Sequence, residues 1–297
     1  MTTRTTTSPT PTTGTRKADW DFCSTNGECA NGCCANIYSN DGRFKCTPGG
    51  LQSYCTGGSG TTTSGPQPTS QPATARVYSQ CNNPNQIAIT FDDGPYQYTQ
   101  ELLNLFNSRN AKLTLFVNGL NWACIYDRAD VLRSAYNQGH QIGSHTWSHS
   151  DLVTLSQSQL ESEISRVDTA LAKILGAKPT HMRPPYGSYN QNVVDTVGRF
   201  GYTSVDMWTF DSGDTQGLNV DQQFQRYQSS RSDVGNIALN HDVQQPTVQQ
   251  LAPRILDWAQ GRGLQIVTIG TCLGQSQTQW YRERTGIQGP RDGSWVC

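Results

Sequence analysis

No run in this 297-residue sequence is long and apolar enough to cross a bilayer as a helix. A basic block is missing too: 22 Lys and Arg stand against 23 Asp and Glu, for a formal charge of -1. That balance argues against nucleic acid as a partner, because phosphate binding needs concentrated cationic side chains. No glycine-rich phosphate loop follows any apolar run, which counts against a nucleotide-binding fold. There is no Asn-x-Ser/Thr sequon, and residues 1–18 hold no apolar segment of the secretory kind, so an exported form is expected to have shed its signal. Apolar residues make up only 34% of the chain. Much of that deficit lies in the first 75 residues, rich in Thr, Ser, Gly and Pro, and the remainder can still bury a core.

Cysteine is plentiful, and its placement divides the chain. Cys23, Cys29, Cys33, Cys34, Cys46 and Cys55 crowd a segment too short to build a sufficient hydrophobic core. They read as a disulfide-stapled module over 19–56; a zinc cluster is the weaker alternative, because the segment has no C-x-x-C pair and no histidine. Its aromatics, Trp20, Phe22, Tyr38, Phe44 and Tyr54, suit either stacking on sugar rings or a miniature core of their own. Thr-, Ser-, Gly- and Pro-rich tracts flank it, so 1–18 is expected to be a disordered tail and 57–75 a flexible linker. Cys81 and Cys272 sit just outside the first and last expected strands of the larger domain, where a bridge would tie its ends together. Cys124 and Cys297 complete the set. Disulfides imply an oxidising, extracellular setting.

From Gln86 onward, short apolar runs alternate with helical patterns. Gln86–Thr90, Leu113–Val117, Tyr202–Val205, Gly235–Leu239 and Leu264–Ile269 read as strands. Leu102, Leu105 and Phe106 share one helical face. Leu160, Ile164, Val167, Leu171 and Ile174 mark the clearest amphipathic helix, and Pro253 fits the first turn of a helix ending near Gly261. This rhythm allows a parallel barrel or a doubly wound sheet over 76–273, with 274–297 as a C-terminal extension.

Chemistry gathers where these runs end. Ile87-Ala88-Ile89 leads into Thr90-Phe91-Asp92-Asp93-Gly94-Pro95, a buried strand with two adjacent carboxylates at its mouth. Burying both is costly unless a cation or hydrogen-bond donors compensate. Ser144-His145-Thr146-Trp147-Ser148-His149 follows, in which two histidines four apart share one face if the segment is helical. With Asp93 they make two imidazoles and a carboxylate, the composition of a catalytic zinc site. Arg183-Pro184-Pro185-Tyr186-Gly187 is a rigid turn, Val205 to Asp214 starts as a strand and ends in acids, and Leu239-Asn240-His241-Asp242 does the same with a histidine. Polar groups at successive strand ends are how α/β barrels assemble an active site.

These five segments, in this order, resemble the five motifs of the polysaccharide deacetylases of carbohydrate esterase family 4, the NodB homology domain. The likeness covers about residues 80–272, and Tyr281-Arg282 beyond it is similar to fungal chitin deacetylases. Cys33-Cys34 resembles the doubled cysteine of hevein-like chitin-binding modules, although two cysteines of that pattern are missing. The family resemblance implies a distorted (β/α) barrel and metal-dependent removal of N- or O-acetyl groups. It makes Asp92 the general base, Asp93, His145 and His149 the ligands of Zn2+ (with Co2+ and Ni2+ as alternatives), and His241 the general acid. Arg183 is implied to hold Asp92 charged, and Asp211 to hold His241 protonated and oriented. The Tyr186 backbone N–H would stabilise the oxyanion, and Trp208 and Leu239 would wall the acetyl pocket. One departure stands out: the fourth motif usually closes with Asp-Trp, whereas here Thr215 follows Asp214. The expectation is a secreted, monomeric, zinc-dependent enzyme acting on chitin. An acetylxylan esterase on the same scaffold and a non-catalytic chitin-binding protein are the alternatives.

Overall fold

The computed structural model describes Cys34–Ala35, Lys45–Cys46 and residues 75–231, 233–286 and 288–297. Two compact units divide the chain, Met1–Thr69 and Ser70–Cys297. In the first, β1 (Cys34–Ala35) pairs antiparallel with β2 (Lys45–Cys46). The rest of the expected module at 19–56, with its aromatics, together with the tail at 1–18 and the linker up to residue 74, lies outside the described residues.

The second unit opens with β3 (Arg76–Tyr78), β4 (Gln86–Asp92), α1 (Thr99–Ser108) and β5 (Thr114–Val117). Next come α2 (Ala129–Asn137), β6 (Gln141–Ser144), α3 (Gln157–Leu175), β7 (Lys178–Pro179) and β8 (His181–Met182). The chain continues through α4 (Gln191–Arg199), β9 (Ser204–Asp206), β10 (Phe210–Asp211), α5 (Val220–Gln228) and β11 (Asn236–His241). It ends with α6 (Ala252–Gly261), β12 (Gln265–Val267), α7 (Ile269–Cys272) and β13 (Tyr281–Arg282).

The main sheet runs β10-β11-β4-β5-β6-β8-β9-β3, with β12 also against β4, and its ladders are parallel. Its two ends approach each other. Met207 N–H donates to Tyr78 O and Thr209 Oγ1 to Ser79 O, while Thr209 N–H donates to Ile237 O, so the segment between β9 and β10 links β3 at one edge to β11, next to the other edge. The result is the curled, distorted (β/α) barrel expected, not a doubly wound sheet. Parallel strands covered on both faces should read as continuous apolar runs, and β4 does, with Ile87, Ala88, Ile89 and Phe91 all buried.

Outside the sheet, α3 follows its sequence pattern closely. Leu160, Ile164, Val167, Leu171 and Ile174 are all buried, Ser156 N–H is capped by Gln159 Oε1 at 3.0 Å, and Gly176 stops the helix at φ 67°. Pro253 does not open its helix as expected: α6 continues directly from a π-helical stretch, Thr247–Leu251, so Pro253 lies inside a longer helical run that begins near Gln245 and ends at Gly261. Residues 274–297, expected as a C-terminal extension, pack against the rest of the second unit. β13 pairs with β7, and Trp280, Tyr281 and Trp295 join the core of α1, α2 and α3. The Cys81–Cys272 bridge forms as expected, and Cys124–Cys297 pins the C-terminus beside the loop after β5. Among the described residues, no helix is long and apolar enough to cross a membrane.

Candidate active site

Parallel pairing brings the chemistry together at one end of the barrel. In the register of β4 with β11, Asp92 lies opposite His241. β4 also sets Asp92 beside Phe116 of β5, β5 sets Val117 beside Ser144, and Ser144 lies opposite Met182 of β8. Asp93, His145 and Arg183 are each the next residue after one of these positions, and so emerge at the carboxyl ends of neighbouring strands. Asp92, Asp93 and His145 line a cavity of about 420 Å³ with His149, Pro184, Tyr186, Gly187, Trp208, Asp211, Thr215, Leu239 and His241, and Arg183 lies buried behind Asp92.

One atom in this cavity is a buried orphan: Asp93 Oδ1 has no hydrogen bond. His149 Nε2 is 3.1 Å away and His145 Nε2 3.6 Å away, and the three residues offer ligand atoms within 4.8 Å of one another. Two imidazoles and an uncompensated carboxylate oxygen are a donor set for a divalent transition metal, so the residues present fit such an ion. Burial alone would raise the Asp93 carboxyl, but the adjacent His149 and His145 rings, with His241 behind them, hold it at about 2. Burial pushes the His145 ring down against the pull of Asp92 and Asp93, which favours the neutral form a metal requires. His145 Nδ1 is 2.7 Å from Arg183 O, and that partner leaves Nε2 for the cavity.

The histidine spacing achieves this without a helix. The segment after β6 is a loop in which Thr146 (φ 70°) and His149 (φ 59°) both take left-handed conformations. Non-glycine residues seldom do so. Asn118 Nδ2 holds the loop by donating to His145 O and Thr146 O.

Asp92 faces the three candidate ligands from one side and is gripped by Arg183, whose Nη1 is 2.8 Å from Asp92 Oδ1. Asp92 Oδ2 lies 3.8 Å from His145 Nε2. The Arg183 side chain is fully buried, and every one of its nitrogens is used. Nη1 also donates to Thr90 Oγ1 at 2.6 Å, Nε to Asp206 O at 2.9 Å and Nη2 to Met207 O at 3.1 Å.

On the opposite side the expectation needs correcting. His241 Nδ1 pairs with Asp214 Oδ1 at 2.8 Å, not with Asp211. Asp211 Oδ1 accepts from Gly213 N–H at 2.7 Å and Oδ2 from Gln216 Nε2 at 2.6 Å, so this carboxylate shapes the turn that delivers Asp214. An Asp accepting from the N–H two residues on, with Gly at that place (φ 79°), is ordinary turn chemistry. Asp-Ser-Gly was the signal that could have separated the two acids. Burial by itself would push His241 down, but the Asp214 hydrogen bond and charge, helped by Asp92 and Asp93, raise it to about 9. Asp214, Thr90 and Asn118 are the supporting residues that the sequence reading missed.

Tyr186, Trp208 and Leu239, expected at the substrate side of the site, all line the cavity. Tyr186 sits at φ 60° between Pro185 and Gly187, 71% exposed, with its ring edge-on to His149 at 4.7 Å. Thr215 lines the cavity too, at the place where the family pattern has Trp.

Residues 79–205 match a family model described as Polysaccharide deacetylase. The chain is 41% identical over 210 residues to a chitin deacetylase of Pestalotiopsis sp, a match covering 69% of this chain and 70% of that protein. A chitin deacetylase of Colletotrichum lindemuthianum is 35% identical over 211 residues, which span 68% of this chain and 85% of the relative. A solved structure of the chitin deacetylase from the same fungus superposes with a TM-score of 0.66 at 33% identity, covering 70% of this chain and 96% of that one.

Proposed function

The chain belongs to the polysaccharide deacetylase family, and we propose that it is a metal-dependent hydrolase that removes N-acetyl groups from chitin or chitin oligomers and releases acetate. The observation that carries this reading is the placement, around one cavity, of the Asp93, His145 and His149 set between an Arg-held carboxylate and a carboxylate-held imidazole.

Asp93, His145 and His149 would hold the ion, with Zn2+ the first candidate. A divalent cation there supplies Lewis acidity, making a water more acidic and an acetyl carbonyl more electrophilic. Asp92 takes the proton from the attacking water. Its Oδ1 is committed to Arg183, which fixes the carboxylate and leaves Oδ2 on the cavity side. His241 delivers a proton to the departing amine from Nε2, because Nδ1 is committed to Asp214. The Tyr186 N–H, carried on a left-handed turn beside His149, is the donor for the developing oxyanion. Trp208 and Leu239 present an apolar surface to the acetyl methyl. The two disulfides among the described residues fit a secreted protein, and the segment at 19–56 is proposed to be a sugar-binding module.

The test is acetate release from chitin oligomers and from acetylxylan, side by side, before and after chelation and Zn2+ addition. Release from the chitin oligomers that is lost on chelation and restored by Zn2+ supports the reading. Release from acetylxylan alone would make the protein an esterase, and failure on both substrates with Zn2+ bound would end the enzymatic reading.

A further inference from the structure

Behind Arg183 lies a second histidine–carboxylate pair that the reaction above does not use. His181 and Asp206 are both fully buried, on the neighbouring strands β8 and β9. His181 Nδ1 is 2.7 Å from Asp206 Oδ2, and its Nε2 is 2.7 Å from Gln275 Oε1. The other carboxylate oxygen of Asp206 accepts from Ser204 Oγ. We propose that His181 and Asp206 form a buried imidazolium–carboxylate pair whose role is to position Arg183 on Asp92, with Gln275 as its outer clamp.

Two of the three Arg183 nitrogens are held by main-chain carbonyls, Asp206 O at 2.9 Å and Met207 O at 3.1 Å. The site of the guanidinium therefore depends on where residues 206 and 207 lie. The Asp206 side chain anchors that backbone at both oxygens, to Ser204 on its own strand and to His181 on the next. His181 in turn is two residues before Arg183, so the pair links the two backbone segments that determine the arginine's position. A carboxylate can only accept, so His181 Nδ1 donates; with Gln275 presenting its carbonyl oxygen, Nε2 donates as well, and the ring carries both protons.

Charge balance agrees. The charged groups around the ring are Asp206 on the adjacent strand and Arg183 on its own chain segment, with Asp92 beyond the arginine. Two cations thus face two carboxylates. Burial alone would push His181 down, and the Asp206 carboxylate outweighs it and raises the ring above its ordinary value. Two buried ions are costlier to bury than an apolar pair of similar volume, so their presence calls for a use beyond filling space.

Two measurements on the full chain test the proposal. In protein carrying 15N-labelled histidine, the His181 ring, assigned by its loss in His181→Phe or by through-bond connectivity, should show two protonated nitrogens at pH 7, where an ordinary histidine is mostly neutral. A single protonated nitrogen at pH 7 would overturn it. The second measurement is kinetic and rests on the proposed role of Asp92. Asp206→Asn should lower kcat on a soluble chitin oligomer about tenfold or more with KM little changed, and should add no further loss in an Arg183→Lys background. Equal losses in both backgrounds would mean that the pair acts on folding alone. If Asp206→Asn does not fold, Ser204→Ala removes the second anchor and takes its place in the same cycle. Protein that shows the doubly protonated ring but releases no acetate would sink the deacetylase reading and leave the pair standing.

Discussion

Asp214 holds His241 at two points: Oδ1 lies 2.8 Å from the ring Nδ1, and Oδ2 accepts the main-chain N–H of the same residue at 2.8 Å. Thr247 Oγ1 donates to Oδ2 at 2.9 Å, and the Asp214 side chain is fully buried. The imidazole is thereby fixed in orientation, in tautomer and in charge.

The first prediction follows from that pairing. His241 is raised from 6.5 to about 9, so the upper limb of the activity–pH profile should report its loss of a proton. Asp214→Asn should move that limb to lower pH, because burial then acts on the ring with its main partner gone, and should lower kcat by about 10²–10⁴-fold. Asp211→Asn should leave the limb in place. The same shift has a stability consequence. A raised folded-state value stabilises the fold fully below pH 6.5, and that contribution disappears as pH rises through about 9. Thermal unfolding of wild type should weaken across this window more steeply than that of Asp214→Asn.

Metal content separates the two adjacent aspartates. After dialysis against limiting Zn2+, Asp92→Asn should retain stoichiometric metal while losing about 10²–10⁴-fold in kcat, since Asp92 is committed to Arg183. His145→Ala and His149→Ala should lose both metal and activity. Elemental analysis of folded protein decides it. A metal-free Asp92→Asn would reverse the roles given to the pair.

Gly187 is the most constrained glycine of the cavity. It sits at φ 65°, and a Cβ there would lie 2.7 Å from the Trp208 ring. Gly187→Ala should cost about 1–2 kcal/mol from the left-handed conformation alone. Because Trp208 must also move, KM should rise. A thermal unfolding curve and a substrate titration give the two effects separately, and unchanged KM would show that the wall tolerates the shift.

Removal of residues 1–69 leaves the barrel unit intact, and it spares Ala75, which is buried in the core beside Leu160 and Ile164. Acetate release from soluble oligomers should be nearly unchanged in the truncated protein. Release from insoluble chitin, together with pull-down on chitin particles, should fall, because a tethered sugar-binding module raises the local concentration of the catalytic unit. Equal rates and equal pull-down would mean that the module serves another purpose.

Much was legible in the sequence wherever a local pattern carries the physics. The apolar period of α3 and the apolar run of β4 ending in two acids each follow from short-range rules, and the structure realises both. So does the order of the five motif segments, because a parallel barrel places every strand's carboxyl end on the same side. Asp92, His145, Arg183 and His241 therefore converge whatever lies between them. Tertiary structure decided what depends on loop trajectory. Asp211 and Asp214 are chemically identical and three residues apart, and the turn that Asp211 itself closes determines which of them reaches His241. The His145–His149 spacing fits a helix, yet both rings meet Asp93 from a loop with two left-handed residues, held in place by Asn118. The His181–Asp206 pair joins strands whose register no local rule specifies. The C-terminal segment joined the core because its Trp280, Tyr281 and Trp295 found apolar partners distant in sequence. Hydrophobic period and turn chemistry act over a few residues, whereas the choice among equivalent side chains is settled by packing between segments far apart in the chain.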